Sequence, residues 1–204
     1  MKPSELFKEY ARKRGLYNIM PISNIRSVLE HGILSNELAN RILHQSVAMA
    51  EVQERRDNIE VPNGRKLHRY ANLYFDARNP MMYLRKAEDI CVLNIMPEIL
   101  DFEGVVISDS NAASRYARFY EASEAFTHLD YDLIYARDWR DDDLFKYQKK
   151  KSVKCAEALI PERIAPEFIS SAAVKTAADK KRLRELGFTG QIFIVPDLFF
   201  QKGG

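Results

Sequence analysis

The sequence of 204 residues predicts an α+β domain built on a mixed or antiparallel sheet. ICVLNIM (90–96) and GVVIS (104–108) are rich in β-branched residues and read as core strands. Short helical periods come early, and strand patterns are spread through the rest. No repeat, low-complexity tract or obvious linker interrupts the chain, so residues 1–204 read as one domain, with 1–15 as an N-terminal helical piece.

Each element has a local reason. Residues 4–14 read as a helix with Ser4 as N-cap and Gly15 as the stop. LYNIMPI (16–22) alternates as a strand until Pro21. Ser23 is placed to cap a second helix, with Ile25, Val28 and Leu29 on one face and Gly32 at its end. A longer helix fits 36–57, where Ile42, Met49, Val52, Gln53 and Arg56 follow the helical spacing. VPNGRK (61–66) is a turn by composition, and YANLYF is a short strand. DSNAASRYARFYEAS (109–123) reads as a capped helix, and 128–143 as irregular and acidic. A Lys-rich run then leads into the strand SVKCAEALI (152–160). Residues 174–187 read as helix and QIFIVPDLFF as a last strand.

Composition excludes several classes. With 46% hydrophobic and 29% charged residues the chain can bury a real core. A net charge of +2 rules out a polybasic nucleic-acid binder, so any such site must be a local patch. No apolar run is long enough to span a bilayer, and the polar start is unlike a signal peptide. Cys91 and Cys155 lie far apart without metal or redox spacing, which fits a reduced cytoplasmic protein. His31, His44, His68 and His128 form no metal-binding motif, so no metal is expected.

One carboxylate sits where a core residue belongs. In a strand over 153–160, Val153, Cys155, Glu157 and Leu159 share a face. A buried carboxylate without a partner is costly or becomes protonated. Glu157 is thus a structural ion pair, a residue at a sheet edge, or a functional acid, and the pattern does not choose. Arg56 on its helix face is either functional or snorkels to water, and Arg55 fits the same pattern. The segment YANLYFDARNP (70–80) packs three aromatics, two asparagines and an arginine into eleven positions. It is either a core strand running into a turn, or a cleft wall offering ring faces, amides and a guanidinium.

Four stretches, in order, carry a resemblance: YNIMPISNIRSVLEHGILS, VQERRDNIEVPNGRKLHRYANLYFDARNPMMY, VVISDSNAAS with RFY after it, and KCAEALIPERIAP. Together they resemble the DarT family, toxins of DarT–DarG toxin–antitoxin systems that ADP-ribosylate bases of single-stranded DNA using NAD. The resemblance spans residues 16–200 and implies an ADP-ribosyltransferase-like fold: a split, strongly curved sheet around an NAD cleft, with flanking helices.

It also implies roles. Glu157 falls on the catalytic glutamate and Arg56 on the catalytic or NAD-holding arginine. Tyr17 and Asn18 fall where relatives carry Tyr-His, and Asn18 keeps hydrogen-bonding capacity but not a titrating ring. Tyr17, Asn18, Ile19, Asn24, Tyr74 and Phe75 are the implied cofactor contacts beside Arg56. Arg78, Met81, Tyr83, Trp139, Arg140 and Lys154 are the implied DNA contacts. The target-presenting loop before the catalytic strand adds Tyr131, Tyr135, Arg137 and the lysines from Lys146 to Lys151. Glu157 is expected to favour the positive charge that develops on the ribose and to act as a general base on a thymidine or guanosine. The implied partners are single-stranded DNA and an antitoxin that removes ADP-ribose, a macrodomain or a related hydrolase. A cytoplasmic monomer without a membrane segment is expected.

Overall fold

In the computed structural model of the chain, residues 1–11, 15–41, 56, 59–61 and 65–201 are described. In chain order the strands are β1 (Leu16–Pro21), β2 (Ile33–Leu34), β3 (Tyr70–Tyr74), β4 (Ile90–Ile95), β5 (Val106–Ser108), β6 (Phe119–Glu121), β7 (Glu157–Pro161), β8 (Arg163–Ile164), β9 (Ile169–Val174) and β10 (Gln191–Ile194). The helices are α1 (Pro3–Tyr10), α2 (Ile25–His31), α3 (Asn36–Ala39), α4 (Pro80–Arg85), α5 (Tyr131–Ile134), α6 (Leu144–Val153) and α7 (Ala177–Glu185). Eight strands form one sheet in the order β10-β9-β4-β1-β3-β7-β5-β6, and β2 pairs with β8 beside it. All neighbours in the large sheet are antiparallel except β9 and β10, which α7 joins as a crossover. The expected α+β class with a mixed sheet is what the chain adopts.

The sheet has a seam. β1 runs in register with β4 from Leu16 opposite Ile95 to Pro21 opposite Ile90. On its other side β1 meets β3 through one pair only, Tyr17 opposite Tyr74. The two half-sheets therefore part beyond that pair, which is the split that the resemblance implied. Asn18 ties the parting strands by donating from Nδ2 to the Asn72 carbonyl at 3.0 Å.

Side-chain alternation puts the main core on one face of the sheet. Leu16, Leu73, Leu93, Ala158 and Ile160 join Phe7 of α1, Ile25 and Val28 of α2 and Leu183 of α7 there. Pro at the first turn of α1 suits its start, and Ser4 anchors that turn to Asp101 at 2.7 and 2.9 Å. The other face carries two smaller apolar clusters, one around Ile19, Val92, Met82 and Phe199, the other around Leu67, Tyr70, Val106 and Leu159.

Several expectations need correction. Residues 109–118 are turns rather than helix, and 119–121 form β6. Their Asp, Ser and Asn side chains bond nearby backbone instead: Asp109 Oδ1 accepts from Arg118 N, and Asn111 Oδ1 from Ala113 N. The strand expected from 152 begins at Glu157, because α6, capped by Asp143, runs through Val153. Its lysines favour helix and outweigh a short alternating pattern. Of the helix expected over 36–57, the described residues show one turn, α3, ending at Ala39, and Arg56 in helical conformation. The face residues Ile42, Met49, Val52 and Gln53, together with Arg55 and His44, lie outside the described residues. The N-cap of α2 is Asn24 rather than Ser23, after a 3-10 turn over 22–24. The last strand stops at Ile194, ahead of a 3-10 turn at Pro196–Phe199. Strand β9 was not expected from its sequence, since ISSAAV carries small and polar residues on its open side.

Candidate active site

Cross-strand register assembles the site. Residues directly opposite in a sheet share a face, so Asn94, Tyr17, Tyr74, Glu157 and Ser108 form one transverse row. The row crosses the seam at its only pair and lies between the two minor clusters, on the face away from the main core. Glu157 is 1% exposed. Both of its carboxylate oxygens are held: Oε2 accepts from Arg56 Nη1 at 3.2 Å, and Oε1 from the Ala112 backbone N–H at 3.1 Å. Arg56 is itself buried. A buried charge is retained only when paired and hydrogen-bonded, and this pair meets that condition. Of the alternatives in the sequence, the ion pair is present, away from any sheet edge.

Tyr74 stands directly across from Glu157 and is half-buried. Burial first, then the neighbouring Glu157 and Cys155, push its phenol well above the ordinary range, so it remains a hydroxyl. Tyr17, half-buried on the far side of the seam, accepts from the Gly15 N–H at 3.1 Å through its hydroxyl. A Cβ at Gly15 would stand 2.4 Å from Asn94 Oδ1, so a side chain there requires the Asn94 amide to shift. That Asn94 oxygen is buried with no hydrogen-bond partner among the described residues.

A second patch adjoins the row. Met81, like Tyr17, Tyr74 and Phe200, packs against the apolar cluster around Ile19, Met82 and Phe199. Beyond it, Tyr83, Trp139 and Phe200 meet edge to face at centroid separations of 5.1 to 6.1 Å. Arg78 lies 4.0 Å over the Phe200 ring, and the Lys86 ammonium 3.9 Å over that of Tyr83. Arg140 is exposed and forked onto Asp138 at 2.5 to 3.0 Å.

The expected site residues divide accordingly. Glu157, Arg56, Tyr17 and Tyr74 come together, and Arg78, Met81, Tyr83 and Trp139 form the adjoining patch. Asn18 is buried at the seam, with its amide committed to Asn72. Ile19 is an apolar wall residue of the same face, and Asn24 is half-buried at the start of α2. Phe75 is a correction: it faces the main core, fully buried against Phe7 at 5.9 Å, because it follows Tyr74 and so points the other way. Lys154 is another, since it is 1% exposed and bonded to Asp76 and the Ile134 carbonyl, which withdraws it from phosphate contact. Tyr131 and Tyr135 are half-buried, stacked on each other and packed on the core. Ala112 and Phe200 were missed. The short polar residues of DSNAAS were a signal for the loop that carries Ala112, whereas nothing local distinguished Phe200.

The mixed sheet is split at its centre, and Glu157, on the row that crosses the split, pairs with the buried Arg56; this is the ADP-ribosyltransferase-like fold that the resemblance implied. The structure superposes on Thermosipho africanus DarTG in complex with ADP-ribose with a TM-score of 0.82, at 28% identity over 92% of this chain and 51% of that one. It also superposes on Thermus sp. 2.9 DarT in complex with ADP-ribosylated ssDNA with a TM-score of 0.78, at 25% identity over 92% and 96% of the two chains. The chain belongs to the DarT family, whose model, described as ssDNA thymidine ADP-ribosyltransferase, matches residues 17–200. A DNA ADP-ribosyl transferase–DNA ADP-ribosyl glycohydrolase fusion protein of Thermosipho africanus is 31% identical to it over 204 residues, covering 94% of this chain. This chain spans half the length of that relative.

Proposed function

We propose that this chain transfers the ADP-ribose group of NAD to thymidine in single-stranded DNA. The observation that carries the reading is the Glu157 carboxylate, held at both oxygens and buried in the row beneath the seam. The residues suit a bent dinucleotide: two half-buried tyrosines flank the seam, a guanidinium lies below, and Asn94 Oδ1 still has hydrogen-bonding capacity. NAD supplies an anomeric carbon that already bears a good leaving group, nicotinamide.

The chain supplies position and charge. Tyr17 and Tyr74 offer ring faces and hydroxyls on either side of the seam, and Arg56 offers a fixed cation. Glu157 stabilises positive charge where it develops and receives the proton that the attacking base gives up. The Ala112 N–H and Arg56 hold the carboxylate in one orientation, so it need not reorganise during the reaction. The Tyr83–Trp139–Phe200 patch, with Arg78 and Arg140, stacks unpaired bases and meets phosphates. Single-stranded substrate fits this arrangement, because no base has to be extracted from a duplex.

The protein is read as the toxin half of a toxin–antitoxin pair, a single domain acting as a cytoplasmic monomer. Its partner is a glycohydrolase that removes the modification. The relative that joins transferase and glycohydrolase in one chain supports that pairing. The two buried, unpaired thiols suit a reducing compartment.

Incubation with labelled NAD and separate pools of single-stranded DNA, duplex DNA, RNA and protein tests the reading. Label confined to single-stranded DNA, with mass spectrometry placing it on thymidine, is the expected result. Label in RNA or protein instead, or no release of nicotinamide, overturns it.

A further inference from the structure

We propose that Lys154 is a positioning residue: its buried ammonium, clasped between Asp76 and the Ile134 carbonyl, holds the aromatic patch around Trp139 in place relative to Glu157. The inference rests on the transferase reading above, and it concerns how that site is kept in alignment.

Lys154 is 1% exposed, and its Nζ bonds the Asp76 carboxylate and, at 2.8 Å, the Ile134 carbonyl. Burial pushes its pKa down, and Asp76 pulls it back only in part. An ion pair in such a place contributes little to stability compared with an apolar side chain of the same volume. What the pair does provide is a fixed meeting point for three segments. Lys154 ends α6 and lies three positions ahead of Glu157. Asp76 follows Tyr74 and Phe75 at the end of β3. Ile134 ends α5, where the segment bearing Arg137, Trp139 and Arg140 begins.

The clasp continues into the patch from both ends. Asp76 Oδ1 accepts from the Arg78 N–H at 2.9 Å, and its carbonyl accepts from Asn79 Nδ2 at 2.9 Å. Asn79 in turn caps α4, the helix that carries Met81 and Tyr83. Arg78 donates to the Arg137 carbonyl at 2.9 Å and to the Asp197 carbonyl at 3.2 Å. Arg137 closes the circuit by forking onto the Asp197 carboxylate at 2.9 and 3.0 Å. Both walls of the Tyr83–Trp139–Phe200 patch thus trace back to one ammonium on the approach to the catalytic strand.

The test compares Lys154→Met, which keeps volume and removes charge, with Asp76→Asn, which keeps the acceptor for Arg78 and breaks the pair. Lys154→Arg is the conservative rescue. Each is examined by amide hydrogen exchange and by turnover on a thymidine-containing oligonucleotide at saturating NAD. The expected result is faster exchange over 76–79 and 135–140 with β1 and β4 as protected as before. Turnover is expected to fall about 10²-fold, as for a reacting group misplaced by about 1 Å. Oligonucleotide affinity is expected to shift less than about threefold, and Lys154→Arg to recover part of the turnover. Unchanged exchange over both segments in Lys154→Met, or in Asp76→Asn if the first variant does not fold, overturns the proposal. So does turnover within about twofold of the parent despite faster exchange. If the parent itself transfers nothing, the transferase reading fails, and hydrogen exchange still decides whether the clasp exists.

Discussion

Replacing Glu157 by Gln separates what the buried pair does for the fold from what it does for the chemistry. Gln keeps the shape and can still accept from the Ala112 N–H, but Arg56 is left buried without a counter-charge. At an effective dielectric of about 20, two unit charges 3.2 Å apart attract by about 5 kcal/mol. Desolvation of both groups offsets most of this, so the intact pair adds little net stability. Removal of one partner leaves the other's desolvation unreturned, a loss of about 3–5 kcal/mol. For a chain of this size that lowers Tm by about 6–20 °C. Arg56→Met alone has a similar cost. The double variant Arg56→Met/Glu157→Gln removes both charges and loses less than about 2 kcal/mol, a non-additivity well beyond the ~0.5 kcal/mol seen for independent sites. Transfer to single-stranded DNA falls at least about 10²-fold in Glu157→Gln and stays low in the double variant. Urea denaturation of all four proteins, beside a labelled-NAD transfer assay, measures both quantities. Additive stabilities, or a double variant as active as the parent, would refute the reasoning.

Three further outcomes are expected. Trp139→Ala weakens oligonucleotide binding by about 1–3 kcal/mol, read by fluorescence anisotropy, and leaves NAD affinity unchanged. Gly32→Ala destabilises by about 1–3 kcal/mol in urea, because φ there is +82° and a Cβ would lie 2.2 Å from the Ile164 carbonyl. Burial pushes the thiols of Cys91 and Cys155 up to about 12, so neither reacts with a thiol reagent at pH 8 until the chain is unfolded. The unfolded thiols ionise first as pH rises, so the unfolded state binds fewer protons. Stability then falls between roughly pH 9 and 12, by up to about 1.4 kcal/mol per pH unit for each thiol. The alkaline slope becomes shallower in a Cys91→Ala/Cys155→Ala variant; an unchanged slope contradicts this assignment.

Three strands were legible without coordinates: LYNIMP from its alternation, YANLY as a short strand-like run and ICVLNI from its β-branched residues. Glu157 was legible as an anomaly, since a carboxylate among apolar strand positions calls for a partner. Periodicity did not name the partner, because Arg55 and Arg56 satisfy the same helical spacing; the resemblance pointed to Arg56, and Arg56 Nη1 lies 3.2 Å from Glu157 Oε2. The loop at Ala112 was misread because Ala and Arg favour helix on average. Three side-chain-to-backbone bonds, from Ala113 N to Asn111, Tyr116 N to Ser114 and Arg118 N to Asp109, outweigh that preference locally. The resemblance implied a DNA contact at Lys154, and its burial was not legible because it depends on Asp76, far away in sequence. Phe200 joins the patch through tertiary packing alone, in a left-handed backbone conformation at φ 59°.

The seam at Tyr17 and Tyr74 has a mechanical corollary. Among the described residues, a single rung of the ladder spans the middle of an eight-stranded sheet, reinforced by the amide of Asn18. Flexure of one half-sheet against the other therefore breaks few backbone hydrogen bonds, and the apolar packing on the far face sets its stiffness. The gap at the seam can thus be widened or narrowed by substitutions in that packing, remote from every residue that would touch a dinucleotide.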